Sequence, residues 1–126
     1  MTLAAKTFVA QPPVVAVVAI LGLGTPGAHA HAMLDHTNPR VGSVVAASPP
    51  EVRLWFTQAL EPRFSRAELR SAAGAVVASG TVERGSPREL AIRVRALAPG
   101  KYKVIWKVIS IDSHHTAGDF SFEVAP

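Results

Sequence analysis

The amino-acid sequence predicts an all-β domain, organised as a β-sandwich or a small Greek-key barrel of about seven short strands. Apolar and polar residues alternate with a period of two in several segments, whereas a helical period of 3.6 residues is convincing nowhere after residue 30. Turn-forming residues recur about every 8–12 positions, which is the spacing of a sandwich or barrel. With 126 residues and no cysteine, the chain is expected to hold one domain without disulfide bonds.

The first charged residue, Lys6, is followed by an apolar run at positions 14–23. A membrane-spanning helix needs about twenty apolar residues, so this run is too short to cross a bilayer comfortably. A basic residue, a short apolar run and a small-residue cleavage motif are typical of a secretory signal peptide. The segment therefore predicts that the protein is exported.

An A-x-A cleavage motif ends at Ala30, beyond the glycine and proline residues that follow the apolar run. We expect cleavage there, which divides the chain into a leader of residues 1–30 and a folded domain of residues 31–126 that begins with His31. A second A-x-A motif ends at Ala32, and an uncleaved anchor is a third alternative. The site at Ala30 is favoured because it lies closer to the apolar run.

Alternation predicts strands over six segments of the domain, two of them shorter candidates. The predicted segments are 52–57, 66–71, 75–79, 89–95, 101–108 and 119–124, with turn signals at 38–39, 48–50, 73–74, 84–87 and 98–100. The clearest segment is 101–108, in which Tyr102, Val104 and Trp106 share the inward face. Both tryptophans, Trp55 and Trp106, are expected to anchor the core.

Composition and motifs exclude several classes of function. Among the 13 lysines and arginines only Lys6 lies in the leader, and the domain carries all 9 acidic residues, so the domain is weakly positive. Its basic residues are scattered without a nucleic-acid-binding motif, so we expect no nucleic-acid partner. The sequence has no Gly-x-Ser-x-Gly, His-Glu-x-x-His or phosphate-binding glycine loop, which argues against a hydrolytic enzyme.

Four histidines follow the predicted cleavage point, and with a nearby carboxylate they suggest a metal site. Because there is no cysteine, such a site must use histidine, carboxylate, methionine or backbone groups. Residues two apart on an extended segment point to the same side, so Asp112 and His114 are predicted to face one metal while His115 points away. By itself, an Asp-x-His pair in a loop is more often an ordinary surface turn.

A processed His31 would add two nitrogen donors, its imidazole and its free α-amine. An α-amine has a pKa of about 7.7–8.0, so it loses its proton to a metal easily near neutral pH. With Asp112 and His114 the set has three nitrogens and one oxygen, which suits tetragonal Cu(II) and would bind Ni(II) or Zn(II) more weakly. We therefore predict one Cu(II) per chain, held by His31, Asp112 and His114.

Three further residues are kept outside the predicted ligand set. Met33 is the only methionine after the cleavage point, and one thioether does not make a dedicated Cu(I) site, so Met33 is expected to pack or to lie beside the metal. His36 is near enough in sequence to be a replacement ligand or a hydrogen-bonding neighbour, although such a histidine is more often merely exposed. No role is assigned to His115.

Several stretches of the domain follow the pattern of one known family. They are His31-Ala32-Met33-Leu34, Asn38-Pro39, Gly42-Ser43, 50–56, 97–102, 106–114 and 118–122. In these stretches the sequence resembles the periplasmic copper-resistance protein C (CopC) family over nearly the whole domain. The block that runs from Trp106 through Asp-x-His to a Phe-x-Phe strand is the most specific part.

The resemblance implies a cupredoxin-like or immunoglobulin-like β-barrel that binds copper in the bacterial periplasm. It also implies that the protein carries or sequesters copper and passes it to an inner-membrane partner of the CopD type, and we expect a monomer. The family's Cu(II) ligands correspond to His31, Asp112 and His114. Some members hold Cu(I) in a methionine-rich loop; with Met33 alone, this chain is expected to be of a Cu(II)-only type.

Two other functions are considered beside a non-enzymatic copper-binding protein. Copper held by an N-terminal histidine and a second histidine is similar to the histidine brace of lytic polysaccharide monooxygenases. That chemistry needs an open coordination position and exposed aromatic residues, whereas Asp112 would fill such a position and the aromatic residues, 6% of the chain, fall mostly on inward positions. The other alternative is a metal-free immunoglobulin-like interaction module.

Overall fold

The computed structural model describes residues 32–126 and, ahead of them, residues 2, 4, 7–11 and 13. Most of the predicted leader, the cleavage motif ending at Ala30 and the proposed ligand His31 lie outside the described residues. In the part of the chain that is described, no helix has the length and apolarity needed to cross a bilayer. Strands and turns make up residues 32–126, which confirms the all-β prediction.

Eight strands form one sheet within residues 32–126. They are β1 (Leu34–Asn38), β2 (Val44–Val45), β3 (Glu51–Phe56), β4 (Arg66–Ser71), β5 (Val76–Glu83), β6 (Ser86–Arg93), β7 (Gly100–Ile109) and β8 (His115–Val124). Their order in the sheet is β1-β3-β6-β5-β4-β7-β8-β2. Neighbouring strands are antiparallel except β2 and β8, which run parallel.

The sheet curls around a single hydrophobic core. Phe56 on β3 and Trp106 on β7 are separated by three strands in the sheet order, yet their ring centroids lie 5.2 Å apart in an edge-to-face contact. In a flat sheet with strands about 4.8 Å apart, β3 and β7 would be about 19 Å apart. Apolar side chains of β3, β4, β6, β7 and β8 therefore meet in one buried cluster, and the sheet forms a half-barrel.

Backbone hydrogen bonds hold the segment between β1 and β2 against β8. Gly42 N donates to the Ser121 carbonyl at 2.7 Å, and Glu123 N donates to the Ser43 carbonyl at 2.9 Å. Gly42 has a φ of 72°, a left-handed conformation that glycine adopts without steric cost. The chain thus passes from β1, at one end of the sheet order, to β2 beside β8 at the other.

The predicted alternation accounts for six strands, β3 to β8, and misses two. β1 has the sequence LDHTN with one apolar residue, and β2 is two residues long, so neither carries a periodic signal. β8 begins at His115, earlier than the predicted residue 119, because its first residues, His-Thr-Ala-Gly, are small or polar and show no apolar alternation. Strand ends are the part of the fold that periodicity locates least well.

One of the two tryptophans does not lie in the core. Trp106 is 8% exposed and belongs to the buried cluster. Trp55 lies between the inward residues Leu54 and Phe56, so the period of two turns it to the opposite face. There it is half-buried and stacks on His36, with ring centroids 4.3 Å apart and planes 9° apart. The expectation that both tryptophans anchor the core is therefore wrong for Trp55.

A substitution at Gly118 on β8 tests the packing of Trp106. A Cβ at position 118 would lie 2.5 Å from Trp106 Cζ2, so Gly118→Ala should displace the indole and lower the free energy of unfolding by about 1–3 kcal/mol. Urea denaturation followed by tryptophan fluorescence measures the loss. The neighbouring exposed change Ala117→Ser should alter the same quantity by less than about 0.5 kcal/mol. A Gly118→Ala protein as stable as the wild type would contradict this account of the packing.

Candidate metal centre

Asp112 and His114 lie in the turn that joins β7 to β8. Ser110 N donates to the His114 carbonyl at 3.0 Å, and Ser113 N donates to the Ser110 carbonyl at 2.8 Å. Ser113 has a φ of 72°, in the left-handed region that residues other than glycine seldom occupy. The expectation of an extended segment is therefore wrong, because residues 110–114 form a closed turn.

The turn nevertheless brings the two side chains together. His114 Nδ1 lies 3.1 Å from Asp112 Oδ2, and the side chains of His114 and Asp112 are 38% and 41% exposed. An imidazole nitrogen and a carboxylate oxygen this close can both reach one metal ion, and both are ligand types that suit Cu(II). Both side chains are partly exposed, whereas the His114 Nδ1 atom that faces Asp112 is itself buried.

The hydroxyl of Ser110 orients the carboxylate of Asp112 through a hydrogen bond. Ser110 is fully buried, and its Oγ donates a hydrogen bond to Asp112 Oδ1. This bond occupies Oδ1 and leaves Oδ2 beside the imidazole of His114. The Ser110 hydroxyl, helped by hydrogen bonds from His114, holds the pKa of the Asp112 carboxyl below its usual range, against the opposing effect of desolvation. The carboxylate is therefore kept in the deprotonated form that metal binding requires.

The base of the turn is held by the segment that follows β3. Ser110 and Leu60 form an antiparallel bridge, and Ile111 N donates to the Ala59 carbonyl at 3.1 Å. Glu61 N donates to the Ile109 carbonyl at 2.8 Å. Since Leu60 and Ser110 are both buried, the backbone at the start of the turn is held in place, unlike that of an exposed loop.

Residues 32 and 33 are fastened beside this turn. The Thr116 Oγ1 hydroxyl donates to the Ala32 carbonyl at 2.8 Å. Met33 N donates to Thr57 Oγ1 at 3.0 Å, and Thr57 N donates to the Met33 carbonyl at 2.9 Å. Ala32 is fully buried and belongs to the core cluster. The backbone that immediately follows His31 in the sequence is therefore fixed next to Thr116, two residues beyond His114.

In the part of the chain that the structure describes, neither His36 nor His115 forms a three-residue metal-binding cluster with Asp112 and His114. His36 Nδ1 is 2.6 Å from Asp35 Oδ2, and its ring stacks on Trp55. His115 is exposed on the outer face of β8, and the Met33 side chain is 60% exposed. Among residues 32–126, no three histidine, aspartate or glutamate side chains are close enough to hold a metal on their own.

Sequence reasoning missed two residues that shape the site, Ser110 and Thr116. Both lie in the Asp-x-His block, two residues before Asp112 and two after His114. Thr116 takes the inward side in the alternation of β8, which is a signal that the sequence carries. Their hydrogen-bond partners, in contrast, depend on how the turn closes and on where residue 32 lies.

The effect of Ser110 on Asp112 is open to direct measurement. Ser110→Ala removes the largest cause of the lowered pKa, so the Asp112 pKa should rise toward its usual value. Because the folded-state pKa is lowered, these hydrogen bonds stabilise the fold at neutral pH, and that stabilisation is lost as the pH falls through the Asp112 pKa. Carboxyl NMR titration follows the change, with the exposed Ser121→Ala as control. An unaltered Asp112 pKa in Ser110→Ala would contradict the assigned cause.

Comparison with known proteins places the chain among copper resistance proteins. The family model described as the CopC domain matches residues 34–125. Protein YobA of Escherichia coli K12 is 32% identical over 105 residues, which cover 81% of this chain and 85% of YobA. Copper resistance protein C of Pseudomonas syringae pv. tomato is 33% identical over 109 residues, which cover 77% of this chain and 82% of that protein.

Solved structures show the same fold. CopC from Methylosinus trichosporium OB3b superposes with a TM-score of 0.72 at 34% identity, over 76% of this chain and 95% of that one. PcoC from Escherichia coli, described as a methionine-rich copper resistance protein, superposes with a TM-score of 0.67 at 31% identity, over 75% of this chain and 99% of that one. The family match, the sequence relatives and the shared half-barrel together show that this chain belongs to the CopC family of copper resistance proteins.

Proposed function

We propose that residues 31–126 form an exported domain that binds one Cu(II) ion and carries or sequesters it in the periplasm. The proposed ligands are the α-amine and imidazole of His31, the carboxylate of Asp112 and the imidazole of His114. Membership of a copper resistance family supports copper as the metal. The oxidation state, the stoichiometry and the ligand set are the parts that this proposal adds.

The position of Ala32 is the observation that carries the proposal. Its carbonyl accepts a hydrogen bond from Thr116, so Ala32 lies at a fixed point beside the β7–β8 turn. Consecutive Cα atoms are about 3.8 Å apart across a trans peptide, which keeps the donors of His31 within one residue's reach of Ala32. Removal of residues 1–30 would free the α-amine at this point.

Cu(II) is favoured over Cu(I) by the donor types. Three nitrogens and one carboxylate oxygen suit tetragonal Cu(II), whereas Cu(I) selects thioethers and thiolates. The chain has 2 methionines and no cysteine, and the one methionine in the domain, Met33, is fastened through its backbone to Thr57. In this respect the chain differs from PcoC, which is described as methionine-rich.

The same donors favour a carrier over a copper oxidase. A catalytic metal site keeps an open coordination position, whereas a site closed by protein ligands binds without reacting. Asp112 lies beside His114, so with copper bound its carboxylate would take a coordination position that oxygen needs. We therefore propose a non-enzymatic monomer whose recipient, by family resemblance, is an inner-membrane protein of the CopD type.

The ligand set predicts which histidines matter for copper binding. His31→Ala and His114→Ala should each weaken Cu(II) binding by more than about 100-fold, which exceeds the loss usual for residues that only orient a ligand. Competition titration against a chromophoric chelator measures the affinity of the exported protein. His36→Ala and His115→Ala are matched controls, expected to bind as the wild type does. Retention of affinity by both His31→Ala and His114→Ala would overturn the ligand assignment.

The role of Thr116 in placing the N-terminal donors is tested by an isosteric change. Thr116→Val removes the hydrogen bond to Ala32 and should weaken Cu(II) binding by about 10-fold without altering a ligand. Thr37→Val is the matched control, because Thr37 Oγ1 makes a similar bond, 2.7 Å, to the Pro39 carbonyl. Both variants should lose similar stability in thermal unfolding, and only Thr116→Val should lose copper affinity. Equal copper affinities in the two variants would contradict the placement argument.

A further inference from the structure

A cationic groove of about 610 Å³ lies where β4, β5, β7 and β8 meet the segment that precedes β4. Arg63, Arg66 and Lys107 line it, and all three are exposed. Phe64 also lines it and is 62% exposed, so the groove offers an aromatic surface among positive charges. Among the described residues that line the groove there is no carboxylate.

The positive charges of this cationic groove lower the stability of the fold. Arg66 on β4 is the register partner of Lys107 on β7, and like charges directly opposite each other destabilise a sheet. Within residues 32–126, neither of them nor Arg63 has a carboxylate partner. Elsewhere the sheet does supply partners, as where Arg53 donates to Glu89 at 2.6 Å. An unneutralised pair in a recess is what a site for an external anion requires.

The cationic groove and the candidate metal centre share the start of β8. His115 and Thr116 line the groove; His115 directly follows His114, and Thr116 holds Ala32. A partner seated in the groove would therefore lie one residue from the proposed copper ligand.

We propose that the cationic groove docks an acidic segment of a partner protein beside the metal turn. Carboxylates of the segment pair with Arg66 and Lys107, and an apolar side chain of the segment packs on Phe64. The charges line a recess rather than a flat face, which suits an extended polypeptide over a lipid surface. The suggestion that this docking serves copper transfer rests on the proposed function. The docking itself is independent of that function.

Peptide binding to matched variants tests the proposal. The probe is a fluorescein-labelled peptide of glutamates with one central phenylalanine, titrated at low ionic strength, with a glutamine version as control. Arg66→Glu should weaken binding by about tenfold or more, whereas Arg95→Glu, an exposed position beyond β6 with the same change in net charge, should leave it near the wild-type value. Arg66→Glu should also raise the melting temperature, because it replaces a like-charge pair with an opposite one.

Cross-linking locates the bound peptide. A water-soluble carbodiimide should join the peptide to Lys107 in preference to Lys101 at the far end of β7. Equal binding by Arg66→Glu and Arg95→Glu, or cross-linking chiefly to Lys101, would overturn the proposal. So would binding to anionic phosphatidylglycerol vesicles without binding to the peptide. Copper titration of wild type and Arg66→Glu is run in parallel. Failure of the wild type to bind copper would refute the proposed function, whereas only the peptide result tests whether the groove docks an acidic segment.

Discussion

The fixed course of residues 32 and 33 is the constraint on which the candidate site depends. Met33 exchanges two hydrogen bonds with Thr57 at the end of β3, and the Ala32 carbonyl accepts one from Thr116 at the start of β8. β3 and β8 are far apart in the sheet order, so these bonds form together only because the sheet curls. The buried core that drives the curling therefore also determines where the start of the domain lies relative to the β7–β8 turn.

The β7–β8 turn combines a buried residue, Ser110, with two partly exposed side chains, Asp112 and His114. Ser110 is fully buried, and its hydroxyl makes a charge-assisted bond to the carboxylate of Asp112, the stronger class of hydrogen bond. The imidazole of His114 stands beside that carboxylate in partial contact with solvent. A carboxylate and an imidazole held in this way would lose little conformational freedom on binding an ion, which favours affinity through preorganisation rather than through extra contacts.

Local periodicity was enough to predict β3 to β8, because alternation of inward and outward side chains is a property of each strand alone. The pairing of Asp112 with His114 was also predicted, but for the wrong reason, since the left-handed Ser113 closes a turn where an extended segment was expected. The hydrogen bonds of Ser110 and Thr116 depend on strand register and on the curling of the sheet. So does the like-charge pair Arg66–Lys107 in the cationic groove. Those are contacts between residues distant in sequence, which a local pattern does not contain.

In the proposed function, export exposes a new N-terminus at His31, and that N-terminus completes a copper site with Asp112 and His114. Native mass spectrometry of the protein isolated with copper from the bacterial envelope measures the first residue and the bound metal together. The expected result is a chain that begins at His31 and carries one copper ion. A copper-loaded chain that begins at Met33 or retains the leader, or a chain that begins at His31 and holds no copper, would contradict it.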